Sequence, residues 1–148
     1  MRRGRRIALD PGSVRIGVAV CDPDGLVASR RDVIAAGDDS ALLALVDEVD
    51  PCEIIIGLPI GMDGSIGVAA AQARAFAGGV HERTGRPVRL VDERLSTVQA
   101  QRGFHAQGRS VRQSRTMIDS ASAEVVLQHA IDTERATGQP PGEVYVPL

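Results

Sequence analysis

The chain has 148 residues, a length that suits one domain with its own hydrophobic core, so we treat residues 1–148 as a single domain. Hydrophobic residues make up 43% of it, but no apolar run approaches the roughly 20 residues that span a bilayer, which argues against a membrane protein. A net charge of −2 and an aromatic content of 2% argue against a polycationic nucleic-acid coat and against a platform that stacks many bases.

Cysteine and arginine usage bear on compartment and partners. Only Cys21 and Cys52 are present and no signal peptide is recognisable, so the sequence predicts no disulfide framework and a cytoplasmic location. A disulfide between two copies of the chain, through Cys21 or Cys52, remains an alternative. Every basic residue is arginine, whose planar fork suits phosphate, although a GC-rich genome gives the same bias.

The first part of the chain predicts an antiparallel meander of three strands. Arg6–Asp10 forms the first strand, "RIGVAVC" at 15–21 the second and "LVASRRDVI" at 26–34 the third. The segments "DPGS" and "DPDG" between them contain the Asp, Pro and Gly residues that favour tight turns.

Helices and strands alternate over the rest of the chain. Apolar residues at helical spacing predict an amphipathic helix over Ser40–Asp50, and the apolar run "EIIIGLPI" at 53–60 is typical of a strand buried on both faces. The remaining predicted elements are an alanine-rich helix over 66–83, a strand "VRLVDE" at 88–93, a helix at 96–106 that begins with the capping box Ser96-x-x-Gln99, an exposed basic loop at 107–115, a long helix over 116–135 and a short tail strand at 143–148.

The order of these elements indicates the fold class. A meander followed by βαβ crossovers implies an α/β fold with a mixed five-stranded sheet, in which parallel strands extend the antiparallel meander. Helices are expected on both faces of this sheet.

Three acidic residues stand where structure alone does not require them. Asp10 ends the first strand, Glu93 ends the strand at 88–93, and Asp119 lies in the first turn of the predicted last helix. Sites in open α/β sheets collect beyond the carboxyl ends of the strands, which suits Asp10 and Glu93. Each acid also has a structural alternative. These are a turn at Asp10, an ion pair of Glu93 with Arg89 or Arg94, and a capping box Thr116-x-x-Asp119.

The acids point to a divalent metal. If the strand at 53–60 lies between Asp10 and Glu93, the two acids are separated by two strand spacings, a total of roughly 9–10 Å. Side chains that reach inward over Gly57, which has none of its own, would then share a pair of ions. All-oxygen ligands suit Mg²⁺ or Mn²⁺. Two such ions would activate water and stabilise the leaving oxygen in the hydrolysis of a phosphodiester.

Four stretches carry a family resemblance: "ALDPGSVRIGVAV", "IIIGLPIGMDGS", "VRLVDERLSTVQA" and "MIDSASAEVVLQ". In this order and spacing they cover nearly the whole chain, and they resemble the YqgF/RuvX family of Holliday-junction resolvases and pre-16S rRNA nucleases. The resemblance implies an RNase H-like fold, with Asp10, Glu93 and Asp119 as metal-binding catalytic acids.

The resemblance also implies contacts to substrate phosphate. Two departures affect this part: Gly61 stands where the family often has Asn, and "RQSR" at 112–115 stands where a Lys/Arg-rich pair is common. The implied phosphate-binding or positioning residues are Arg15, Arg94 and Thr97, with Arg112 and Arg115 in place of the family's basic pair.

The resulting hypothesis is a metal-dependent nuclease that processes the 5′ end of pre-16S rRNA in ribosome assembly. The alternative is a Holliday-junction resolvase, which needs two active sites and hence a homodimer. Two further readings are a non-catalytic nucleic-acid-binding module and one lobe of an actin-like ATPase, which "DPGSVRIGVAV" also resembles. The last is disfavoured because such enzymes close two lobes around a nucleotide.

Other polar residues are interpreted as structural. Asp63 suits a turn before glycine, and Asp92, on the opposite face of its strand from Glu93, supports the loop or caps the next helix. The basic start "RRGRR" is interpreted as a solvated tail. The histidines lack ligand spacing; they are His81, His105 and His129.

Overall fold

The computed structural model describes residues 2–59, 67–93 and 111–147, with the side chains of residues 111–120 outside that description. Strands and helices alternate along this part of the chain after an initial run of three strands. In chain order they are β1 (Arg6–Pro11), β2 (Arg15–Cys21), β3 (Ala28–Ala35), α1 (Asp39–Val49), β4 (Glu53–Leu58), α2 (Val68–Thr84), β5 (Val88–Asp92), α3 (Val111–Thr137) and β6 (Glu143–Val144).

The predicted meander is confirmed, because β2 pairs antiparallel with both β1 and β3. The turn between β2 and β3 follows from "DPDG". The Asp22 carboxylate accepts hydrogen bonds from the backbone N–H groups of Leu26 and Val27 at 2.8 and 2.7 Å, and Gly25 takes a φ of 69° that suits glycine. The bond from the Val27 N–H, the stronger influence, holds the pKa of Asp22 below its ordinary value.

The predicted mixed sheet is also confirmed, with one strand more than expected. β4 lies parallel to β1 and β5 parallel to β4, so the described strands are ordered β3-β2-β1-β4-β5-β6. The sixth strand is the tail, which pairs antiparallel with β5 and is followed by a hydrogen bond from the Tyr145 N–H to the Val88 carbonyl at 2.7 Å. A strand as short as β6 has too little periodicity for its partner to be predicted.

Helices cover both faces of the sheet, as predicted. On one face α1 and α2 pack over Ile54 and Ile56 of β4, and on the other α3 packs Leu127 and Ile131 over Ile55. The alternation along β4 explains why its sequence is apolar throughout: both faces of this strand lie in a core layer.

The last helix begins earlier than predicted. α3 starts at Val111, so the predicted loop over 107–115 is wrong for residues 111–115. No Pro or Gly stands between Val111 and Thr116 to stop a helix there. Asp119 therefore lies in about the third turn of α3, and Thr116-x-x-Asp119 is not the start of the helix. The helix predicted at 96–106 lies outside the described residues.

α3 is the longest helix described, with 27 residues. Within the described ranges, neither it nor another helix combines the length and apolar character needed to cross a bilayer.

A charged cluster closes the edge of the sheet at which β1 and β4 begin. We call it the basal ion cluster, and it consists of Arg2, Arg6, Glu53, Arg89 and Glu134. Arg2 Nη2 lies 2.7 Å from Glu134 Oε1 and 3.1 Å from Glu53 Oε1, and Arg89 Nε lies 3.0 Å from Glu53 Oε2. Arg6 Nη2 contacts Glu134 Oε2 at 3.2 Å. The interpretation of "RRGRR" as a solvated tail is wrong for Arg2 and Arg6, because buried carboxylates at this edge require cationic partners.

Candidate active site

Asp10 lies at the end of β1, at the edge of the sheet opposite the basal ion cluster. Ala8 packs in the core layer under α3, and strand alternation directs Asp10 to the same face. Asp10 pairs with Gly17 of β2, and the register of β1 with β4, continued by one residue, puts Gly57 on its other side. Two glycines therefore flank a carboxylate that is only 7% exposed.

Glu93 follows β5 and is 1% exposed. A Cβ atom on Gly57 would lie 2.6 Å from Glu93 Oε1 and 3.0 Å from its Cγ, so the Glu93 side chain occupies the surface of β4 that Gly57 leaves free. Because β4 lies between β5 and β1, this side chain extends from its own strand toward Asp10. Asp10 and Glu93 each take part in at least one further interaction. The expected reach across Gly57 is thus present for Glu93.

A cleft of about 430 Å³ opens over this edge. Asp10 and Glu93 border it on the sheet side, together with Gly57 and the turn that follows β1. One face of α2, which packs on the other side of the sheet from α3, also contributes to the lining. The two acids therefore border a space large enough for a small ligand or part of a larger one.

The carboxylates of Asp10 and Glu93 fit a divalent cation. Their oxygens are the ligands that Mg²⁺ and Mn²⁺ prefer, and the bare surface at Gly57 gives Glu93 room to reach the cleft. Among the described residues, no three His, Cys, Asp or Glu side chains come together as a metal site. The third predicted ligand is Asp119, whose carboxylate lies outside the described atoms.

The course of α3 is compatible with that third ligand. Glu134, near the C-terminal end of α3, contacts Arg6 at the start of β1. The N-terminal half of α3, which includes Asp119, therefore extends toward the opposite edge, where Asp10 lies. The role of Asp119 stays a prediction.

The predicted phosphate contacts are described only in part. Arg15 begins β2 at the same edge as Asp10, and its carbonyl accepts a hydrogen bond from the Gly12 N–H at 3.0 Å. Arg94 and Thr97 lie outside the described residues. Arg112 and Arg115 lie in the first turns of α3, with their side chains outside the description.

Other polar residues lie away from the two acids. Arg89 contacts Glu53 at the basal edge instead of Glu93. Asp92 pairs with Leu58 and, by alternation, faces away from Glu93. His81 Nδ1 lies 3.0 Å from the Arg86 carbonyl, a structural contact. His129 Nε2 is buried without a hydrogen-bond partner among the described residues. The remaining two residues of this group, Asp63 and His105, lie outside the description.

The α2 wall is absent from the sequence prediction. Ala69, Gln72, Ala73 and Phe76 line the cleft from this helix, which we predicted only as an alanine-rich crossover. Their spacing of three and four residues marks one helix face. That face was recognisable, but the sequence did not reveal that it borders the acids.

The RuvX family model, described as "Holliday junction resolvase", matches residues 4–133. The chain is 45% identical over 148 residues to a Streptomyces coelicolor protein, covering 97% of this chain and 89% of that one. It is 47% identical over 154 residues to a Thermobifida fusca protein, covering 97% of each. Both relatives bear the name "Putative pre-16S rRNA nuclease".

Solved structures give the same fold. The chain matches T. thermophilus RuvC in complex with a Holliday junction substrate with a TM-score of 0.53 and 14% identity, over 93% of this chain and 99% of that chain. A second structure of Thermus thermophilus RuvC also matches with a TM-score of 0.53, at 12% identity over 94% of this chain and 99% of that one. At such identities the likeness shows the fold alone, and the predicted RNase H-like fold is confirmed.

Proposed function

The chain belongs to the RuvX family, and from that membership we propose that it is a divalent-metal-dependent nuclease that hydrolyses phosphodiester bonds in structured nucleic acid. Its natural substrate is the precursor of 16S rRNA, whose 5′ end it processes in the cytoplasm, in association with ribosome assembly. The names of the two relatives support this substrate, because the likeness extends over nearly the whole of each chain.

One observation carries the proposal: the Glu93 side chain crosses Gly57 toward the strand that ends in Asp10, and both residues border one cleft. Asp10 and Glu93 would hold Mg²⁺ or Mn²⁺, with Asp119 as the third ligand. When bound, two such ions activate water and stabilise the leaving oxygen of a phosphodiester.

The rest of the cleft positions the substrate strand. The turn after β1 and the α2 face border the space beside the acids. The nucleic-acid strand therefore lies between this turn and α2. Arginine side chains supply the positive charge that phosphates require, because a net charge of −2 gives the molecule no general attraction for nucleic acid. The proposed phosphate contacts are Arg15, Arg94, Thr97, Arg112 and Arg115.

A second candidate is the resolution of Holliday junctions. The description of the matching family favours it. Junction resolution uses the same hydrolysis but cuts two strands symmetrically, so it requires a dimer, whereas a monomer suffices to trim an RNA end. A non-catalytic binding module is the third possibility, and it is separated from both by the loss of one acid.

Asp10→Asn is the test of catalysis. The substitution keeps the shape of the side chain and removes its charge, so we expect Mn²⁺-dependent cleavage of a pre-16S rRNA 5′ leader to fall by at least about a hundredfold. Thermal stability should be kept or raised, because the negative charge beside Glu93 is removed. Calorimetric titration with Mn²⁺ provides a readout that is independent of cleavage and should show weaker binding.

Asp24→Asn is the matched control, because it makes the same chemical change at an exposed turn at the opposite end of the sheet. It should cleave at the wild-type rate. Wild-type cleavage by Asp10→Asn would refute the assignment of the active site, and a wild-type protein that binds RNA without cutting it would favour the binding module.

A further inference from the structure

The α2 wall of the cleft is one helix face that carries both short and long side chains. Ala69, Gln72, Ala73 and Phe76 lie on one helix face over about 10 Å of the axis. Ala73 is buried, Phe76 is half-buried and Gln72 is exposed. Because the two alanines are short, Gln72 and Phe76 are the larger side chains that α2 contributes to the cleft lining among the described residues.

This wall differs chemically from the sheet edge that borders the same cleft. Asp10 and Glu93 are the charged side chains among the described lining residues, and those from α2 are uncharged. The α2 wall therefore offers no cation to a phosphate. The sugar and base of a nucleotide are uncharged, and a base has flat apolar faces with a polar edge, which are the properties that this wall matches.

Phe76 is suited to receive a base because its ring is held in place. The ring packs against the core layer under α1 and α2 and also borders the cleft, so little side-chain entropy remains to be lost on binding. The chain has only 2 Phe and 1 Tyr, which is too few for a platform of many bases but sufficient for one.

Gln72 is one helical turn before Phe76 and lines the same cleft, and its side chain ends in an amide. An amide has two donor hydrogens and an acceptor oxygen, so it can pair with the polar edge of a base. Stacking on an aromatic ring combined with hydrogen bonds to the exposed edge is the usual way in which proteins recognise unpaired RNA bases.

On the basis of the proposed nuclease function, we propose that α2 forms a subsite for one unpaired nucleotide next to the scissile phosphate. Its base stacks on Phe76, and its polar edge bonds to the Gln72 amide. The cleft of about 430 Å³ has the size of a small-molecule pocket, so it receives one nucleotide splayed from a strand and not a base pair within a helix. The substrate class is therefore a structured RNA cut in a single-stranded segment.

Phe76→Leu and Phe76→Tyr separate stacking from core packing, because both keep an apolar body but only tyrosine keeps the aromatic face. The substrate is a fluorescein-labelled RNA hairpin with a single-stranded 5′ extension. We expect Phe76→Leu to lower kcat/KM about 5- to 100-fold, the range for one stacked base, and Phe76→Tyr to retain the wild-type value. A duplex of the same extension should be cut poorly by all three proteins.

A series of hairpins with one abasic nucleotide at each position of the extension locates the subsite. At one position the wild-type rate should fall by the same factor as in Phe76→Leu, and the variant should lose nothing further there. Gln72→Ala should reduce the preference for one base at that position by about tenfold. Gln139→Ala, an exposed glutamine outside the described cleft lining, is the matched control and should leave both rate and preference unchanged.

Two results would overturn the subsite: an equal loss for Phe76→Leu on intact RNA and on every abasic RNA, or equal cleavage of single-stranded and duplex extensions. RNA binding by the Asp10→Asn protein, measured by fluorescence anisotropy, distinguishes failure of the subsite proposal from failure of the proposed nuclease function. If the wild type cuts no RNA, the nuclease proposal fails, but an abasic position that weakens binding to D10N and not to D10N/F76L still supports the subsite. The absence of such a position would refute it.

Discussion

Gly57 shows how one missing side chain prepares the site. Glycine inside a strand weakens the strand, because it has no side chain to pack and more backbone entropy to lose. Its presence in the apolar run of β4 is explained by Glu93, which crosses the surface that any Cβ atom would occupy. The space at residue 57 is therefore used by a neighbouring strand's carboxylate.

Gly57→Ala should impair catalysis more than folding. The new Cβ would lie 2.6 Å from Glu93 Oε1, so the carboxylate must move, and its single bonds allow this without rebuilding the sheet. A misplacement of about 1 Å costs roughly a hundredfold in rate, and we expect Mn²⁺-dependent kcat/KM on the rRNA leader to fall by about that factor. Thermal melting should show a folded protein.

Gly67→Ala is the control for this change. Among the described residues, a Cβ at Gly67 meets nothing within 4 Å, so the cleavage rate and melting temperature of the variant should match those of the wild type. If Gly57→Ala cleaved at the wild-type rate while folded, Glu93 would not need the space above β4.

At the scale of elements, the basal ion cluster ties the start of the chain and β1 to β4, β5 and the end of α3. Glu134 is 3% exposed and Arg6 is 1% exposed, so their contact is shielded from water. Burial by itself raises the pKa of Glu134, but hydrogen bonds from the Arg2 side chain and backbone outweigh it, and the pKa lies below its ordinary value. The bond to Glu134 in turn raises the pKa of Arg2.

Glu134→Gln should therefore destabilise the fold. Removing one partner of a buried ion pair leaves the other charge uncompensated, and we expect a loss of about 3 kcal/mol in the free energy of unfolding from urea titration. Because the folded pKa of Glu134 is below the ordinary 4.5, the wild type loses this contribution as the pH falls below 4.5. The variant cannot titrate there, so its stability should decline less steeply below that pH.

Glu143→Gln is the comparison, because the pair Glu143–Arg74 is 56% and 44% exposed at its two side chains. Screening by solvent limits its expected loss to about 0.5 kcal/mol. If the two variants lost equal stability, or if Glu134→Gln kept the acid sensitivity of the wild type, the cluster would not stabilise the fold as proposed.

α3 shows why a local helix signal can be misread. A Thr-x-x-Asp pattern marks a helix start only where the preceding residues are not helical, and residues 111–115 contain nothing that stops a helix. A signal that is correct for an isolated segment therefore gave a helix start five residues too late, since the observed start is Val111.

The whole molecule has a small net charge, and exposed apolar side chains lie in several segments of its described part. Its net charge is −2, and these side chains include Val14, Val68, the neighbours Leu26 and Val27, and Val144 and Val146. A stable dimer usually needs a contiguous apolar patch. We predict that the protein is a monomer.

We expect sizing chromatography to give a monomer that cuts the pre-16S rRNA 5′ leader. The same protein should fail to make paired, symmetric incisions in a four-way DNA junction, because a monomer presents one active site. Leader cleavage and junction incision are measured in parallel with Mn²⁺, and Asp10→Asn serves as the inactive reference. A dimer that resolves the junction faster than it cuts the leader would make junction resolution the function.

Much of this architecture follows from local pattern. The meander, the doubly buried β4 and the acids at the strand ends come from alternation, turn residues and apolar runs, each spanning fewer than about ten residues. The reach of Glu93 across Gly57 was also expected, because a glycine between two acid-ended strands leaves one surface open. Local pattern does not predict that β6 pairs with the sheet edge or that α2 lines the cleft. A short strand and an alanine-rich helix face each have many compatible partners.

The α/β class, the strand-end positions of Asp10 and Glu93 and the family likeness can be predicted from the chain alone, because each depends on residues close together in the chain. Which surfaces contact each other is known from the folded chain and not from its local patterns. Arg2 bonds Glu134 across 132 positions of sequence, and Phe76 borders the cleft of the acids through the packing of α2 on the sheet. Such contacts are selected by burial and charge pairing in the folded chain, and no local pattern encodes them.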